Sequence, residues 1–207
     1  TGGDGSYAWS LLTGALPDGL SLGSSGLLSG TPTTAGNVTF AVEVTTGDGQ
    51  TTTADLTVTT YDPVLIVTAT LPTGEVAAPY SATLLASGGD GGFTWSLIGG
   101  SLPDGLTLDP SGLLSGTPTV AGRATFTVEA TTGDGQIMTG ELAVTIYEPV
   151  LIVTAALPTG EVGAPYAATL SATGGDGAFT WSLVGGSLPV GLTLDPSGLL
   201  SGTPTVA

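Results

Sequence analysis

The chain has 207 residues, a net charge of −16, no cysteine, no histidine and a single basic residue, Arg123. Disulfide staples, thiolate or imidazole chemistry and lysine–asparagine isopeptide cross-links are therefore excluded, and a basic nucleic-acid footprint is missing, so phosphate backbones are repelled. Only 9% of residues are charged and 41% are hydrophobic, which separates the chain from disordered acidic tails and leaves enough Val, Leu, Ile, Phe and Trp to bury cores.

The 35 Gly and 14 Pro, set among abundant Thr, Val and Ser, predict short strands joined by tight turns. No apolar run reaches the roughly 18 residues of a membrane span, so no membrane insertion is expected in this segment. An anionic membrane surface is disfavoured by the acidic charge. Few Asn, Gln and Met leave few sites for deamidation or oxidation, which suits a protein made in bulk and exported.

Periodicity dominates. Trp9, Trp95 and Trp181 are spaced by 86 residues, as are Pro17, Pro103 and Pro189, and Pro32, Pro118 and Pro204. No insertion or deletion breaks the register, and residues 149–207 differ from 63–121 at eight of 59 positions. Such a period marks a tandem array. Residues 1–62 are read as the C-terminal part of one repeat, 63–148 as a complete repeat and 149–207 as the N-terminal part of another. The chain opens inside a repeat, so residue 1 is not expected to be the natural start.

Along the complete repeat, "VLIVTA" (64–69) reads as a short apolar strand, and "YSATLLA" (80–86) alternates. "GFTWSLI" (92–98) places Phe93, Trp95 and Leu97 on one face at period two. "LTL" (106–108) and "GLLSG" (112–116) are short strands separated by "DPSG". "ATFTVEATT" (124–132) turns Phe126, Val128 and Ala130 inward, "TTGDGQ" (131–136) is an Asp-Gly turn, and "ELAVTIY" (141–147) is the last strand. No window has a helical period. The expected fold is all-β: tandem Ig-like β-sandwiches with an 86-residue period, in a linear array.

The segment "LPDGLTLDPSGLLSGTPTVAG" (102–122) has near-copies at 16–36 and 188–207. Its expected core anchors are Leu102, Leu106, Leu108 and Leu113, with turns at 103–105 and 110–112. A calcium loop built on Asp104 and Asp109 is the rival, since hard cations prefer carboxylates. Asp104 is Val190 in the third copy and Asp109 is Gly23 in the first, so the loop reads as a fold signature. Junction acids are more open to metal: Asp62 and Glu148 precede the prolines at the repeat boundaries, and Glu75 and Glu161 follow a few residues on. These four are the candidate Ca²⁺ ligands, and a shared ion there would stiffen the array.

The alternation of Trp95 with Phe93 and Leu97 places Trp9, Trp95 and Trp181 in the core rather than on a sugar-stacking surface. Asn37 lies in an "NVT" sequon, but its counterpart in the next repeat is Arg123, which points to a chance match. Ser and Thr are plentiful without an activating partner, and catalytic sites are rarely copied along near-identical modules, so no enzyme is expected.

The pattern G-x-V-x-x-P-Y-x-x-T-L (74–84), W-S (95–96), L-P-x-G-L-x-L (102–108) and G-x-L-x-G-T-P-x-x-A-G (112–122) resembles the immunoglobulin-like repeats of large bacterial surface proteins, close to dystroglycan-type cadherin-like domains. The resemblance spans essentially the whole chain. It implies an Ig-like sandwich in an extracellular or cell-surface multi-repeat protein, and no single activity. The expected function is a structural module of a fibre or filament whose partners are copies of itself. The alternative is the stalk of an adhesin, stiffened by Ca²⁺ at the junctions. A linker of little more than one proline predicts a fixed angle between neighbours.

Overall fold

The structure is a computed structural model that describes residues 4–206. Every regular element among them is a β-strand. The first repeat holds β1 (Tyr7–Thr13), β2 (Leu20–Leu22), β3 (Leu28–Gly30), β4 (Gly36–Thr46) and β5 (Thr51–Thr60). The complete repeat holds β6 (Leu65–Ile66), β7 (Gly74–Glu75), β8 (Tyr80–Thr83), β9 (Ala86–Ser87), β10 (Phe93–Gly100), β11 (Leu106–Leu108), β12 (Leu113–Gly116), β13 (Gly122–Thr132) and β14 (Ile137–Tyr147). The third holds β15 (Leu151–Ile152), β16 (Tyr166–Thr169), β17 (Ala172–Thr173), β18 (Leu192–Leu194) and β19 (Leu199–Gly202).

In the complete repeat one sheet has the order β10-β13-β14-β7 and a second has β11-β12-β8, with β6 paired to β9. Strand β7 runs parallel to β14, Ile146 opposite Gly74 and Tyr147 opposite Glu75. The first repeat repeats the pattern as β1-β4-β5 and β2-β3, and the third as β16-β19-β18 and β15-β17. By contact the chain forms two compact units. One comprises the chain up to Val67 together with Ala86–Phe93 and Ala130–Met138; the other comprises Thr68–Leu85, Thr94–Glu129 and Thr139 onward.

The core of the second unit is built by alternation. Phe126 and Val128 on β13 and Leu142, Val144 and Ile146 on β14 are buried, and so are Tyr80, Leu84, Trp95, Leu106 and Leu114. Leu113 is the correction. It is 36% exposed, while Leu114 is fully buried. The pairing explains it: Leu114 lies opposite Leu108 and Ala82 on the inner face, and Leu113 lies opposite Thr83 on the outer one. A one-residue shift reverses every side chain of a strand. Leu108 and Leu102 are half-buried.

Two further expectations change. "VLIVTA" contributes only a two-residue strand, with Leu65 and Val67 turned outward. Leu97 is 40% exposed although Trp95 is buried. Its counterpart Leu11 immediately precedes a bulge in the β1–β4 register, and both strands are outermost in their sheets. Trp9 and Trp181 are half-buried. The first repeat starts at the register of Ser87 and has no counterpart of β6–β8; the third has none of β13 and β14 within the 207 residues. For the same reason "FTWSLV" (179–184) is not a strand.

Candidate functional site

The recurring loop is built from backbone. Leu106 N–H donates to the Pro103 carbonyl, Asp109 N–H to Leu113 and Gly112 N–H to Asp109, with equivalent bonds in the other two copies. The Asp104 carbonyl accepts the Thr119 N–H at 2.9 Å, and the Val190 carbonyl does the same for Thr205. The position therefore acts through its main chain, which explains why Val replaces Asp there. Asp109 and Asp195 each accept the N–H two residues on, at 2.8 Å. Bonds from Ser111 and Ser197 hold their carboxyls below the usual carboxylate range. A glycine is required where the Trp packs: a Cβ on Gly112 would come within 2.8 Å of the Trp95 indole. Gly105 and Gly116 face each other so closely that a Cβ on either would meet main chain. The loop is a packing device for Trp95, Leu106 and Leu114, and the same arrangement holds Trp9 and Trp181.

Side-chain hydrogen bonds gather instead where the first repeat passes into the complete one. The Asp62 carbonyl accepts the Gly89 N–H at 2.8 Å, and Glu148 and Gly175 repeat this bond at the next boundary. Gly88 has no room for a Cβ because the Pro63 carbonyl lies against it. Asp90 accepts the N–H groups of Gly92 and Gly133, both at 3.2 Å, tying the 88–92 loop to the β13–β14 turn. In that turn Thr132 Oγ1 donates to Asp134, and Gln136 Nε2 donates to Asp134 Oδ2 at 2.7 Å. These donors lower the pKa of Asp134, and the same set at Thr46 and Gln50 lowers that of Asp48. The Gln136 amide also reaches the linker: Oε1 accepts the Val64 N–H at 3.1 Å and Nε2 approaches the Asp62 carbonyl at 3.3 Å.

The four junction acids are placed differently from one another. Asp62 and Glu148 serve the boundary through their carbonyls, Glu75 sits on β7 opposite Tyr147, and Glu161 precedes the turn in which Ala164 N–H donates to its carbonyl. All four side chains are exposed. Among the described residues no group of three or more Asp or Glu forms an arrangement that could hold a metal ion. Each boundary also carries a shallow cleft. One, about 400 Å³, is lined by Asn37, Tyr61, Asp62 and Gly89; the other, about 420 Å³, by Glu75, Tyr80, Tyr147 and Gly175. Gln136 was not singled out by sequence. Its signal was its scarcity: only two Gln occur, both closing a T-G-D-G-Q turn.

The family model described as "Putative Ig domain" matches residues 1–61, 62–147 and 148–207. The chain belongs to this family of Ig-like domains. None of the curated proteins matches it. Among solved structures, a "putative alpha-galactosidase" from Bacteroides fragilis shares 27% identity over 40% of this chain, with a TM-score of 0.36, and the matched part is 17% of that protein's length. Extracellular domains 3–5 of Drosophila OTK align over 97% of this chain and 76% of theirs, at 16% identity and a TM-score of 0.50. Immunoglobulin domains 1–5 of Sidekick-1 align over 97% of this chain and 48% of theirs, at 18% identity and a TM-score of 0.42. The OTK likeness is one of fold: tandem Ig-like β-sandwiches.

Proposed function

We propose that this chain is a non-catalytic structural module of an extracellular tandem-repeat filament, self-associating through the faces of its sandwiches. The observation that carries the reading is the surface of the complete repeat. Leu65, Leu85, Ile98, Val120 and Ile137 are each more than half exposed. Scattered apolar side chains are ordinary on a monomer, but these accompany a charged fraction of only 9% and no lysine to keep surfaces apart. The period supports lateral register, since two identical chains aligned once are aligned at every repeat. Composition suited to export, and the family's resemblance to surface repeats, support an extracellular place.

The net charge of −16 opposes association, and salt screens it over a Debye length of roughly 10 Å at 0.1 M. Light scattering of the native protein across a salt series is therefore expected to show assembly that grows with ionic strength. A monodisperse monomer at every salt concentration would overturn the self-association.

A further inference from the structure

The bonds at the first boundary divide into two sets. Gly89 N–H to the Asp62 carbonyl is main chain to main chain and recurs as Gly175 to Glu148. The Gln136 bonds are different, because one side-chain amide grips the linker on both sides of Pro63. Pro63 has no N–H of its own. Val64, whose N–H is taken, is 6% exposed. Gln136 is itself fixed, because its N–H donates to Thr132 Oγ1 at 3.1 Å and its Nε2 to Asp134. Thr132 is buried. A rigid turn thus presents a preset donor and acceptor to the incoming chain.

The first repeat supplies an internal comparison. There Gln50 makes the same bonds within its turn, to Thr46 Oγ1 at 3.1 Å and to Asp48 Oδ2 at 2.7 Å. The bonds seen for Gln50 are those within its turn. The turn keeps its shape in both repeats. What Gln136 adds is the grip on residues 62–64.

We infer that Gln136 is a linker latch: its amide fixes the course of residues 62–64 against the β13–β14 turn, inside one compact unit. The inference rests on the tandem-filament reading only for its purpose. The latch is a positioning device of the first boundary, independent of whether copies of the chain then pack side by side. Without it, residues 62–64 keep the Gly89 bond and the burial of Val64 but lose both side-chain bonds.

The test uses the whole chain. Because the sequence has no Cys, spin labels attach cleanly at Thr57→Cys on the first repeat and Met138→Cys beyond the β13–β14 turn, both exposed positions of the same compact unit. Electron-electron distance distributions are compared for the parent, Gln136→Ala and Gln50→Ala, with amide exchange at Val64 as the local readout. The expected result is a narrow distribution for the parent and Gln50→Ala, and a broad one for Gln136→Ala. Val64 should then exchange up to about tenfold faster in Gln136→Ala alone, the equivalent of one hydrogen bond. An unchanged distribution for Gln136→Ala would overturn the latch, and so would equal broadening in Gln50→Ala, which would reveal a loss of turn stability instead. Loss of filaments with the latch result intact would overturn the assembly reading alone.

Discussion

At the scale of single residues, the pair Leu113 and Leu114 shows where sequence reading fails. Both are leucines in "GLLSG", and alternation is equally good in either phase. The choice is made by neighbours far off in sequence, Ala82 and Tyr80 on β8, which sequence spacing does not reveal. The consequence is measurable. Leu114→Ala is expected to cost about 2–5 kcal/mol, as for a buried leucine, and Leu113→Ala well under 1 kcal/mol, as for a surface change. Urea unfolding of the two variants separates them, and equal losses would contradict the register. Other residues were legible because their partners are local or repeated. Phe126 and Val128 alternate within one strand, and both are buried. Ala77 has φ +62, a left-handed backbone, and its counterpart Gly163 has φ +80. Glycine at one copy of the position marks the constraint that alanine bears at the other.

At the scale of elements, the acids held in hydrogen-bonded carboxylate form lie in turns. Asp48, Asp109, Asp134 and Asp195 all have lowered pKa values from hydrogen bonds that favour the carboxylate. A depressed carboxyl contributes stability above its unfolded value, 3.8, and loses it as pH falls through the folded one. Melting temperature is thus expected to be flat from neutral pH down to 4.5 or so and to fall below about pH 3.8; a pH series by scanning calorimetry checks this, and a peak of stability in acid would contradict it. The outer strands show a second device. Trp95 N–H is taken by the Pro110 carbonyl at 2.9 Å and Trp9 N–H by Ser24. In β1 the bulge after Leu11 then turns the strand out of register. Capped and bulged edges resist edge-to-edge pairing. Neither device was visible in the sequence, because both depend on which side of the strand lies open.

For the whole molecule, the period was the strongest signal. It carried the all-β, Ig-like tandem class, which the family matches share. Comparison of the copies marked the loop as a fold signature, and Asp104 and Val190 take the same place in it through their carbonyls. The joint was only half legible. Its acids drew attention as charges, whereas Asp62 and Glu148 act through carbonyls and the grip comes from an uncharged amide. The compact unit that contains the first repeat also takes in 86–93 and 130–138, the loops that clasp the linker.

Electron microscopy of the native full-length protein, with and without chelator, tests the structural role most directly. Ordered filaments are predicted, with an axial repeat of one domain length, roughly 35–45 Å from strand rise and typical strand number, or a simple multiple of it, and with the same order in chelator. Isolated beaded strands ending in a globular knob would contradict the filament and make these repeats the stalk of a binding protein.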